Sequence, residues 1–157
     1  MKRSQLAPFA IGIASLFLLT SCGASGPDAP TRNIKQVTDG IEKDSGSIAA
    51  RDVLLVTQPD GSAVLVGTFI NQGDSADALT GLSINGVAFK LDKPSYPLVK
   101  NQPVIFAGPT ANAHAVIAGL NAVASTRVNL TITYATASAI TVNVLVRDKA
   151  DIYANVG

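Results

Sequence analysis

The 157-residue chain contains one cysteine, one histidine, one methionine and no tryptophan. With Cys22 as its single thiol, the chain cannot close an internal disulfide, so a folded domain must be held together by packing alone. His114 is the only imidazole for a general base, a catalytic triad or a histidine-ligated metal. The residues around it, Thr110 to Val116, include no acid. Carboxylates number 11, with Glu42 the sole glutamate, and Asp74, Asp77 and Asp92 fall in or near loops without the spacing of an EF-hand. No Gly-x-Ser-x-Gly elbow and no glycine-rich phosphate loop occurs. A bias of charge is missing too: 12 Lys and Arg stand against 11 acids, which gives no electrostatic reason to expect nucleic acid as a partner. An enzyme is not expected from this inventory.

What the chain does have begins at its N-terminus. Met1-Lys2-Arg3 is cationic, and Leu6 to Leu19 is an apolar run broken only by Pro8, Gly12 and Ser15. That is the h-region of a signal peptide, shorter than the ~20 apolar residues a spanning helix needs. Leu19-Thr20-Ser21-Cys22 then resembles the lipobox of bacterial lipoproteins: a leucine, a small residue, one of Gly, Ala or Ser, and cysteine. The resemblance implies a diacylglyceryl thioether on Cys22, cleavage between Ser21 and Cys22, and anchoring by acyl chains such as palmitate. The other reading is a plain secretory signal cleaved among Ser21, Gly23, Ala24 and Ser25. Residues 1–21 are therefore expected to be a lipoprotein signal peptide. Residues 22–46 should be the lipidated cysteine and a tether, opened by the Pro/Gly-rich stretch Gly23 to Pro30. Residues 47–157 remain for the folded domain, enough for one core and too few for two. The implied location is the extracytoplasmic face of the cell membrane, with the membrane as a partner through the lipid on Cys22.

The domain reads as all-β. Val128, Leu130, Ile132 and Tyr134 alternate with Asn129, Thr131, Thr133 and Ala135, the pattern of a half-buried strand. Ile140, Val142, Val144 and Val146 repeat it after a short Ala/Thr/Ser turn, so the two predict an antiparallel hairpin. Val53–Thr57 and Ala63–Asn71 predict a second hairpin around Gln58-Pro59-Asp60-Gly61-Ser62. Leu82-Ser83-Ile84 and Val87-Ala88-Phe89 predict a third around Asn85-Gly86, the dipeptide suited to a type I′ turn. Further short strands are expected at Leu98-Val99, Val104–Phe106 and Ala115–Ala118. Seven or eight short strands with regular turn signals point to an antiparallel two-sheet sandwich of immunoglobulin-like or cupredoxin-like topology. Phe69, Phe89, Phe106 and Tyr134 are the large pieces of its expected core.

Three segments carry a further resemblance: Asn71 to Leu79, His114 to Leu120, and Val128 to Tyr134. Over about residues 47–148 the chain resembles the PCu(A)C family of periplasmic and lipid-anchored copper chaperones, especially its actinobacterial lipoprotein branch. In that family the middle segment carries a His-x-Met pair that binds copper. Here His114 falls on the histidine and Val116 stands where the methionine would be. Copper(I) needs several converging soft ligands, and the sole methionine, Met1, lies in the segment expected to be removed. The expectation is a copper-chaperone-like scaffold without a resident cofactor, acting as a non-enzymatic binding or accessory module of the cell envelope with an envelope protein as partner. The alternative is a copper chaperone relative with residual metal binding through His114. A third reading, a hydrolase pairing His114 with a distant serine and aspartate, requires those groups within hydrogen-bonding distance of the imidazole.

Overall fold

The computed structural model describes residues 39–157. Cys22, the signal segment 1–21 and most of the expected tether lie outside the described residues. Eleven strands follow one another: β1 (Ile41–Ser45), β2 (Ile48–Thr57), β3 (Ala63–Asn71), β4 (Asp77–Ile84), β5 (Val87–Ala88), β6 (Lys90–Leu91), β7 (Tyr96–Leu98), β8 (Val104–Phe106), β9 (Ala115–Ile117), β10 (Arg127–Tyr134) and β11 (Ile140–Arg147). A 3-10 turn, Asp151–Tyr153, follows β11. The all-β class and the sandwich are as the alternation required. The count exceeds the expected seven or eight chiefly through β1, which fell in the expected tether, and β6, a two-residue piece too short to leave a periodic trace in sequence.

One layer is built on the β2–β3 hairpin, with β1 beside β2, and β8 and β9 following one another along the free edge of β3. β6 completes that layer against β9. The other layer runs β4–β10–β11, with β5 and β7 on the outer edge of β4. The layers are joined at one seam, where Val146 and Arg147 of β11 pair with Leu55 and Val56 of β2. This pairing is parallel, the one departure among the named strands from the antiparallel plan, and it makes the sheet continuous and nearly barrel-like. Two strands from distant hairpins can meet in parallel without a short loop between them.

One boundary needs correction. Residues 22–46 were expected to be tether, yet Ile41–Ser45 pairs with Ile48–Val53 through a tight turn, so the folded unit begins before residue 47. The segment Ile41-Glu42-Lys43-Asp44-Ser45 is mostly charged and exposed, which is why it reads as linker. It is an edge strand, and edge strands carry charge because one side faces water.

The turns behave as their residues require. Asn85 and Gly86 adopt φ of 51° and 80°, the paired positive values of a type I′ turn. Gly61 has φ of 79° in the β2–β3 turn, and Asp60 accepts hydrogen bonds from both the amide and the hydroxyl of Ser62. The main core lies between the layers and includes Leu55, Leu65, Phe69, Leu79, Phe106, Leu130, Ile132 and Val144. Phe69, Phe106 and Tyr96 stack edge to face at 5.7 and 5.1 Å.

Asp77, at the start of β4, fastens that strand to the β10–β11 turn. Its carboxylate accepts hydrogen bonds from the amides of Ala78 (2.7 Å), Thr136 (2.9 Å) and Ala137 (2.8 Å). Partial burial opposes its charge, but these amides outweigh burial and hold the carboxyl below the usual aspartate range. A group whose pKa is depressed on folding stabilises the fold above its unfolded pKa, near ~3.9, and that contribution is lost as pH falls through the folded value. Asp77→Asn is therefore expected to flatten the acid limb of stability between pH 6 and 3. Urea titrations of both proteins at each pH check this; parallel limbs would show that Asp77 is not the titrating group.

Candidate functional site

His114 stands at the start of β9, and its backbone is clamped. Its amide donates to the Asp92 carboxylate at 2.9 Å. The Tyr96 hydroxyl donates to the same carboxylate and lies 2.8 Å from the His114 carbonyl. The Asp92 amide closes the arrangement by donating to that carbonyl at 3.2 Å. Desolvation, reinforced by the neighbouring carboxylate, pushes the Tyr96 phenol up to about 12. The Tyr96 hydroxyl and the His114 amide in turn draw Asp92 below its ordinary value. Tyr96 is anchored from the other side by Phe106, so the core itself fixes where residue 114 sits.

The side chain of His114 is exposed, and among the described residues no hydrogen bond reaches its imidazole. It lies between two shallow grooves. One, of about 380 Å³, is lined by Gln58, Pro59, Asp60, Ser62, Val64, Val116 and Gly157. The other, of about 190 Å³, is walled by Ala107, Gly108, Ala111, Ala113, Asn155 and Val156. Asp60 and Ser62 thus share a groove with His114, which brings a Ser/His/Asp set into one region. Their hydrogen bonds, however, are to each other: Ser62 Oγ donates to Asp60 Oδ1 at 2.6 Å, a turn-stabilising contact. A base must be oriented by, and hydrogen-bonded to, its partners before it can activate a nucleophile, and no such bond links the three.

Val116 follows His114 by two residues, in β9, and packs against apolar neighbours. A second apolar cluster, separate from the core between the layers, covers the outer face of β2 and β3: Leu54, Val56 and Val64 buried with Tyr153 and Val156. Val66, Ala107 and Val116 pack against it. Tyr153 and Val156 come from the C-terminal segment, which crosses this face as a strap. It is tied by Gln58 Nε2 to the Val156 carbonyl at 3.2 Å, and by the Tyr153 hydroxyl to Asp39 at 3.2 Å. Arg147 stacks on the Tyr153 ring at 5.8 Å and pairs with Asp39 at 3.4 Å. Each of the two buried strap side chains contributes on the order of 2 kcal/mol. The position beside His114 is thereby absorbed into packing.

This second cluster was missed at the sequence level, although a signal for it exists. Val53-Leu54-Leu55-Val56 and Val64-Leu65-Val66 are continuous apolar runs, and a strand without alternation is a strand covered on both faces. The inward residues Val53, Leu55 and Leu65 enter the main core, and their neighbours Leu54, Val56 and Val64 need the strap.

Among the described residues no three His, Cys, Asp or Glu side chains gather closely enough to hold a metal ion. Neither a family model nor a curated protein matches the sequence. Solved structures do resemble the fold. The copper-bound PCuAC domain from PmoF2 superposes with a TM-score of 0.60 at 17% identity, over 69% of this chain and 98% of that domain. The apo PCuAC domain from PmoF1 gives 0.60 at 16% identity, over 69% and 99%. The apo PmoF2 domain gives 0.59 at 15% identity, over 71% and 98%. The folded part of this chain has the PCuAC fold, as the resemblance in sequence implied.

Proposed function

We propose that this chain is a lipid-anchored protein of the extracytoplasmic face of the cell membrane, held by the modified Cys22, whose PCuAC-fold domain is a non-enzymatic binding or accessory module of the envelope without a copper centre of its own. The observation that carries this reading is the fate of the His-x-Met position. His114 is exposed as a lone imidazole, and Val116, in place of the thioether, packs against the strap cluster. A soft metal needs several ligands of matched geometry, and fold likeness by itself does not transmit a site. On the same reading, the clamp of Asp92 and Tyr96 serves to hold the β6–β9 edge in shape.

The second reading, residual metal handling through His114, is favoured by one fact: a neighbour of the same fold was solved with copper bound. Titrating the chain from Gly23 onwards with copper and zinc, followed by mass spectrometry under non-denaturing conditions, separates the two. The expected result is no stoichiometric uptake of either metal, with His114→Ala unchanged from the parent. Tight uptake of one metal per chain, abolished by His114→Ala, would overturn the first reading and establish the second.

A further inference from the structure

Four large apolar side chains are exposed among the described residues: Ile152 (81%), Val123 (70%), Val87 (55%) and Val99 (40%). Single exposed hydrophobics need no explanation, but gathered ones do. The backbone pairing places the two most exposed at one end of the sandwich. β11 ends there, at Arg147 beside Val56 of β2. Ile152 precedes Tyr153 in the strap that continues from β11. Val123 belongs to the loop whose Ser125 and Thr126 exchange backbone hydrogen bonds with Val146 at 2.8 and 2.9 Å. Val87 pairs with Ile84, which faces Leu130 midway along β10. Val99 lies at the opposite end, next to the Asn71–Lys100 bridge.

Asp39 is at the same end as Ile152 and Val123. Its carboxylate meets Arg147 and Tyr153, so the chain coming from Cys22 enters the domain beside Ile152. The residues between Cys22 and Asp39 span at most about 60 Å fully extended. An acyl anchor on Cys22 would thus keep this end at a high local concentration near the lipid surface. The charges nearby are of both signs, Arg127 and Lys149 against Asp148 and Asp151, so an attraction to the membrane here would come from apolar contact and not from net charge.

We infer that this end of the sandwich is a bilayer-facing surface, with Ile152 and Val123 resting at the boundary between headgroups and acyl chains. The inference rests on the proposed anchoring through Cys22. A domain held by a flexible point alone would sample all orientations; two exposed apolar side chains at the entry point select one.

The absence of tryptophan supplies the test. Ile152→Trp and, as a control at the far end, Val99→Trp are made in the full chain, purified from its host's membranes and reconstituted into zwitterionic vesicles containing brominated lipid. Ile152→Trp fluorescence is expected to be blue-shifted and quenched by the brominated lipid, and to stay so at high salt; Val99→Trp should show neither change. Equal quenching at both positions, or none at position 152, overturns the orientation. A blue shift of Ile152→Trp in detergent without lipid, accompanied by dimers in sedimentation, would assign this end to a second copy and also overturn it. Mass spectrometry of the same preparation reports whether Cys22 is acylated. If it is not, the anchoring reading fails, and coupling this sole thiol to a maleimide lipid repeats the quenching measurement to decide the surface separately.

Discussion

Replacing Phe106 by alanine is expected to remove much of the domain's stability. Phe106 is 1% exposed and sits between Phe69 and Tyr96, meeting both rings edge to face. Truncating a fully buried phenylalanine costs about 3–5 kcal/mol, as lost transfer free energy plus the cavity left behind. A domain of this size has only about 5–15 kcal/mol in total. The hole opens between the two layers, beside the short strand β8, which pairs with three residues of β3. Urea unfolding followed by circular dichroism should show the midpoint falling by roughly 2 M, taking ~2 kcal/mol per molar for the slope. Val87→Ala, at an exposed position, should move it by less than about 0.5 kcal/mol. A shift in Phe106→Ala no larger than that of Val87→Ala would mean that the aromatic trio does not support the core.

The same substitution bears on the site, since Tyr96 loses the ring that seats it, and its hydroxyl donates to the Asp92 carboxylate that holds the His114 amide. The link between core and site could not be read from sequence. Asp92 and Tyr96 lie four residues apart, but His114 is 18 residues beyond Tyr96, and the pairing of β6 with β9 brings it to them. The elements that were legible are those with local causes. The β10–β11 hairpin announces itself by strict alternation, the Asn85-Gly86 turn by a conformation few dipeptides tolerate, and the four expected core aromatics, Phe69, Phe89, Phe106 and Tyr134, are all buried. What escaped has non-local causes. The seam between β2 and β11 joins residues about ninety positions apart, and β1 is a charged edge strand indistinguishable from a linker by composition. The strap covers its apolar runs from the far end of the sequence. Of the site, the sequence showed its one imidazole, His114, and the absence of a methionine after Met1; the clamp that holds its backbone has non-local causes.

The buried polar residue Asn71 gives the second large effect, and it arises from the end of the domain away from the strap. Its side chain is completely buried, and all its hydrogen-bonding capacity is used. The amide nitrogen donates to the carbonyls of Ser75 (2.7 Å) and Leu98 (2.9 Å), and the oxygen accepts from the Gly73 amide (2.9 Å) and the Ser47 hydroxyl (3.0 Å). One residue thus joins the β1–β2 turn, the β3–β4 connection and the end of β7. Asn71→Asp keeps the shape almost unchanged but replaces the two donors with an acceptor facing two carbonyl oxygens. Two carbonyls lose their donor, the bond to Leu98 being buried and that to Ser75 partly so, and a charge is placed opposite them. Each unmet buried group costs about 1–3 kcal/mol, more when charge is involved, so a loss of at least ~3 kcal/mol at pH 7 is expected. The sign of its pH dependence separates this cause from a packing defect. The introduced carboxyl has its pKa raised by burial and by the facing carbonyls, so it is penalised most above that value and least when protonated, since the protonated form regains one donor. The gap between Asn71→Asp and the parent should therefore narrow as pH falls from 7 to 5, a window in which Asp77, with its depressed pKa, remains ionised in both proteins. Asn71→Ala should be destabilised as well, but with a gap that does not change over that range. A gap for Asn71→Asp that is small at pH 7, or constant between pH 7 and 5, would show that the amide's two donations do not hold these three segments together.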